Sequence, residues 1–98
     1  MTVAEIIIDQ IHTIDKMALF AWGTSKALSI PEIDGEHLGG VKLLIQNNPN
    51  IPEKATIEIT LNGSDLYDIK ISSLKKVYFN EKDWFCGDLV AVIDQVIG

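Results

Sequence analysis

The segment Trp22-Gly23-Thr24-Ser25-Lys26 sets an indole and a primary amine four residues apart. An aromatic wall with a nearby cation suits planar or anionic ligands. A Trp followed by Gly at the end of an element also closes a hydrophobic core, and the two readings compete here. A second polar group comes from Asp65-Leu66-Tyr67. Asp65 can bond nearby backbone amides as part of a turn, or offer a polar contact at a sheet end beside Tyr67. Trp22, Lys26, Asp65 and Tyr67 are therefore the candidate binding residues.

Other reactive side chains lack the company that chemistry needs. Cys86 is expected near the start of a C-terminal helix, where a thiolate is favoured. It has no partner nearby in sequence and reads better as a core thiol. His12 and His37 lie far apart, without zinc-site spacing, and read as a surface and a loop residue. Asp34-Gly35-Glu36 lacks the remaining ligands of a calcium loop. No Gly-Lys-Ser/Thr follows Gly39-Gly40, and neither Gly-x-Gly-x-x-Gly nor Gly-x-Ser-x-Gly occurs. Among 14 acidic residues some close pairs arise by chance, so a glycosidase-like pair carries no weight. The expectation is a protein that is not an enzyme, with no catalytic residue, metal site or cofactor.

Composition narrows the partners. The 98 residues carry a formal charge of −6, which repels phosphate backbones and anionic lipid. Neither nucleic acid nor membrane is expected as a partner. The densest acidic cluster, Glu32, Asp34 and Glu36, reads as a solubilising surface. Its sharper reading is a decoy for the basic groove of a DNA-binding protein. No apolar run approaches the length of a membrane span. Ile6-Ile7-Ile8 is broken by Asp9 and has no basic leader before it, so it does not read as a secretory signal. A lone cysteine closes no internal disulfide and fits a reducing compartment, so a cytoplasmic location is expected.

These residues must be held by elements that the pattern outlines. Thr2-Val3-Ala4-Glu5 is a capping box, followed by Ala4, Ile7, Ile8, Ile11 and Ile14 at helical spacing. A helix is predicted over about 3–13. Met17 to Trp22 is apolar on both faces and reads as a buried strand or a continuing helix. Residues 25–39 read as a long loop, with a short strand or turn around 27–30. Val41, Leu43 and Ile45 mark a strand, ended by the breakers of 47–52. Ala55, Ile57, Ile59 and Leu61 alternate strictly with Thr56, Glu58, Thr60 and Asn62, as in an antiparallel sheet wet on one side. A hairpin centred on Ser64 sets Leu61 opposite Tyr67, Ile59 opposite Ile69 and Ile57 opposite Ile71. It also sets Glu58 opposite Lys70, so charge and apolar pattern agree on one register. A short strand over 77–79 and a helix over about 82–97 complete the chain, with Trp84 packing at the helix start.

The order is helix, three or four strands, helix. It implies a single α+β domain over 1–98, a two-layer sandwich with helices on one sheet face. Gln10-Ile11, Asp15, Ala18-Leu19, Ala21-Trp22-Gly23 and Lys26 resemble the opening of a small prokaryotic family of uncharacterised proteins. Its members are met in bacterial genomes and on phage or other mobile elements. Ile57-x-Ile59-x-Leu61-Asn62-x-x-Asp65-Leu66-Tyr67 and Leu89-Val90-x-Val92-Ile93-Asp94 resemble its later parts. Ser25 stands between Thr24 and Lys26, where the family runs more directly into the lysine. The resemblance implies the fold and no known activity. The expected function is that of a non-enzymatic accessory or interaction protein, with an unknown protein partner or self-association. The alternative is a small-ligand-binding domain using the Trp22 region and the 25–40 loop.

Overall fold

A computed structural model of the chain describes residues 2–46, 48–51 and 53–97. Helix α1 (Val3–Ile14) opens with the expected capping box: Thr2 Oγ1 accepts from the Glu5 N–H, and Glu5 Oε1 accepts from the Thr2 N–H. These bonds satisfy donors that a helix start leaves without partners, and they hold the Glu5 carboxyl below its ordinary pKa. A short helix α2 (Ala18–Ala21) follows, then β1 (Thr24–Ile30), β2 (Gly40–Ile45), β3 (Ala55–Leu61), β4 (Tyr67–Ser73) and β5 (Val77–Trp84). A 3-10 turn at Cys86–Asp88 leads into α3 (Leu89–Ile97). The strands form one antiparallel sheet in the order β1-β2-β3-β4-β5, so each pairs with its neighbours in sequence.

The β3–β4 register is the one that the sequence pattern demands. Leu61 pairs with Tyr67, Ile59 with Ile69, Glu58 with Lys70 and Ile57 with Ile71. Every second residue of β2, β3 and β4 turns to one side and is buried there: Val41, Leu43, Ile45, Ile57, Ile59, Tyr67, Ile69 and Ile71. Ile7 and Ile11 of α1, and Leu89, Ile93 and Ile97 of α3, complete this core. Gly40 permits the close approach of β2 to β3. A Cβ there would lie 2.0 Å from the Ile59 carbonyl oxygen.

The structure corrects the sequence reading in four places. The sheet has five strands rather than three or four, because residues 24–30 form β1 and not the start of a long loop. Ser25 to Ser29 are all exposed on this edge strand, so no face shows the apolar alternation that reveals a strand. Residues 18–21 form neither a buried strand nor a straight continuation of α1. The Asp15 carboxylate accepts from the Met17 N–H and turns the chain between the helices, leaving Phe20 80% exposed.

The C-terminal helix begins at Leu89 rather than near Lys82. Residues 80–84 stay in the sheet, with Glu81 opposite Ile69 and Trp84 opposite Tyr67. Asp83, with φ 65°, takes up the irregularity in this strand. Trp84 consequently ends a strand, its ring 6.2 Å from that of Phe79, and does not pack at a helix start. Finally, Cys86 is exposed rather than a core thiol, and Phe85 beside it is exposed as well.

Candidate functional site: the open face of the sheet

Both long helices cover the same side of the sheet, because the apolar set of β2, β3 and β4 points only one way. The other side carries no layer among the described residues. Its composition follows from the register, row by row across the strands. The central row runs Leu28, Lys42, Glu58, Lys70, Asn80 through all five strands. One flanking row runs Lys26, Leu44, Thr56, Ser72. The other runs Ile30, Gly40, Thr60, Asp68.

The face is hollowed into two shallow depressions. One, of about 470 Å³, lies over the Leu28, Ile30, Lys42, Glu58, Lys70 and Lys82 side chains. The second, of about 410 Å³, lies over Leu44, Lys54, Thr56 and Ser72. They share Lys42 and Glu58, whose Nζ and Oε1 are 3.9 Å apart. At 40% and 37% side-chain exposure this pair is half-solvated and contributes little stability. His37 borders the first depression, where its Nδ1 accepts from the Gly39 N–H at 3.0 Å and fixes the ring.

Charge is distributed unevenly. Lys42, Lys54, Lys70 and Lys82 line the two depressions against only two carboxylates, Glu58 and Asp68. Lys26 stands on the same face, opposite Leu44. Five of the eight lysines thus gather on one face of a chain whose net charge is −6. The remaining surface holds three lysines and twelve carboxylates.

The four residues singled out from sequence are not brought together. Trp22 is fully buried, and its Nε1–H donates to Asp94 Oδ1 at 2.5 Å. It closes the core, and it lines neither depression of the open face. Tyr67 is also buried on the helix side. Its hydroxyl donates to Gln10 Oε1 at 2.9 Å, and burial raises its pKa above that of a free phenol. Asp65 sits in the exposed β3–β4 turn with φ 63°. The turn amides of Ser64 and Leu66 donate to Asn62 Oδ1, the role that the sequence reading gave to Asp65. Only Lys26 belongs to the open face.

Sequence reasoning missed two further polar centres. Asn48 is 5% exposed, and its Nδ2 donates to the carbonyls of Trp22 and Ile97. In sequence it stands only as one of the breakers of 47–52. Glu53 accepts from the hydroxyls of Tyr78 and Ser73. The Tyr78 bond lowers the Glu53 pKa and raises that of Tyr78. Neither arrangement has a local sequence signal, since each joins residues 20 or more positions apart.

Among the described residues no three His, Cys, Asp or Glu side chains converge as a metal site, and no helix is long and apolar enough to cross a membrane. Comparison of the chain with known protein families, curated proteins and solved structures finds no match.

Proposed function

We propose that this chain is a non-enzymatic accessory domain that binds a protein partner through the open face of its sheet. One observation carries the reading: among the described residues nothing covers one whole face of the five-stranded sheet, and that face mixes aliphatic, hydroxyl and charged side chains. Leu28 is 40% exposed there. A surface of apolar patches rimmed by polar groups is the usual composition of an interface. The reading of a ligand pocket walled by Trp22 has less support, because the indole is enclosed and bonded to Asp94. An origin on a phage or mobile element is supported by the sequence resemblance alone, and genes of phage or plasmid function beside this one would strengthen it.

The test is affinity capture from the native source with two proteins, wild type and Leu28→Gln/Leu44→Gln. Both substitutions lie on the open face and leave the helix-side core intact. A partner captured by wild type and lost with the variant supports the reading. An identical set of proteins on both, with the variant's melting unchanged, contradicts it.

A further inference from the structure

We propose that the partner segment received by the open face is acidic and carries apolar residues among its carboxylates; this rests on the interaction reading given above. The argument begins with charge segregation. A chain of net charge −6 would, with charges spread evenly, present an acidic surface everywhere. Instead Lys26, Lys42, Lys70 and Lys82 share one face with Glu58 and Asp68, and Lys54 stands at its end. A positive face on a negative body draws an approaching anion to that face and repels it elsewhere.

The central row sharpens this. Lys42 and Lys70 lie two strands apart, about 10 Å at ordinary strand spacing, with Glu58 between them. Leu28 closes the row at the β1 edge, and Leu44 and Ile30 flank it. An occupant must therefore offer negative charge at Lys42 and Lys70 and apolar contact toward β1. A protein segment with mixed acidic and aliphatic residues meets both requirements.

Nucleic acid meets them poorly. The chain has no arginine, and among the described residues no Phe, Tyr or Trp lines either depression; the single imidazole there, His37, offers a base one small ring at the border. Glu58 and Asp68 interrupt the lysines along the face, where a phosphate backbone carries an unbroken run of charge. A small anion is also disfavoured, because the lysines are spread across an open trough and converge on no enclosed point.

The experiment titrates the full chain, followed by amide and lysine side-chain NMR, with a 15-residue poly-glutamate peptide that carries leucine at every third position. Poly-glutamine with the same leucines and oligo-deoxythymidylate of the same length serve as comparisons. The proposal expects poly-glutamate to shift residues of the open face selectively, with affinity falling at least about tenfold between 50 and 300 mM salt as screening grows. Lys42→Glu/Lys70→Glu should reduce binding at least about tenfold, and Lys75→Glu/Lys76→Glu should leave it unchanged. Where the glutamate pair disturbs folding, Lys42→Gln/Lys70→Gln carries the same expectation.

Absence of binding at low salt, shifts centred off the open face, or equal loss in both lysine pairs overturns the proposal. Tighter binding of the oligonucleotide than of poly-glutamate overturns it in favour of nucleic acid. Finally, a natural partner lost with Leu28→Gln/Leu44→Gln but indifferent to salt and to Lys42→Glu/Lys70→Glu leaves the interaction reading standing and removes the acidic one.

Discussion

The indole N–H of Trp22 is bonded to the carboxylate of Asp94, 72 positions away in the chain. The bond fastens the end of α2 to α3 and shuts the aromatic side chain inside the core. Trp22→Ala should cost about 3–5 kcal/mol through the cavity left behind. Trp22→Phe keeps most of the volume and loses the donor. Because Asp94 is exposed and can be rehydrated, the added cost of the lost bond should be about 1 kcal/mol. Urea denaturation of the two variants measures the difference.

Asn48 supports the same corner from another side. Its amide reaches the Trp22 and Ile97 carbonyls at 3.1 and 2.9 Å. The second of these is a C-terminal carbonyl of α3, a group that a helix leaves without an internal partner. Asn48→Leu should destabilise the domain by about 2 kcal/mol, since the Trp22 carbonyl then loses the Asn48 donor and the Ile97 carbonyl keeps that of Asn50 but not that of Asn48. Hydrogen exchange should show the effect concentrated in the last turn of α3. Uniform acceleration across the sheet would argue against this local role.

The sheet register predicts opposite outcomes at adjacent positions. Ile59 is fully buried, whereas Thr60 lies on the open face. Ile59→Lys would bury a charge with no partner and should leave the domain unfolded at 25 °C. Thr60→Lys should change the melting temperature little. Circular dichroism melts of both proteins provide the check, and equal melting would contradict the assigned faces.

The central hairpin was legible in sequence because two independent patterns, apolar alternation and the Glu58–Lys70 pair, demanded one register. The cap of α1 was legible because Thr2 and Glu5 bond within one turn. Where pattern failed, burial was missing or shared with distant elements. β1 is an edge strand exposed along Ser25 to Ser29, so its residues need not alternate. The end of β5 combines charged residues with the left-handed Asp83, which reads locally as a helix start. The open face escaped notice for a related reason. Its charges are spread from position 26 to position 82, and only the strand order sets them side by side.

The Tyr78–Glu53 bond carries a pH signature. The phenol of Tyr78, with help from the Ser73 hydroxyl, holds the Glu53 carboxyl below the ordinary carboxylate value. Any stabilisation from Glu53 is therefore present above that ordinary value and is lost as pH falls through the lowered one. The carboxylate in turn raises the Tyr78 pKa. Its contribution is present below the ordinary phenol value and disappears as pH rises through the raised one. Tyr78→Phe should move the Glu53 titration upward, toward the ordinary carboxylate range, as read by carbon NMR of the side-chain carboxyl. An unmoved titration would remove the bond from the account.

The most direct measurement is a lysine footprint of the protein alone and with its captured partner, using brief acetylation and mass spectrometry. Lys42, Lys70 and Lys82 line the open face, while Lys16, Lys75 and Lys76 lie elsewhere and serve as internal controls. Binding through the open face predicts at least about fivefold protection of the first three, and unchanged labelling of the others. Protection of Lys16, Lys75 and Lys76 with Lys42 and Lys70 as reactive as in the free protein would place the partner elsewhere and contradict the proposed role of the sheet.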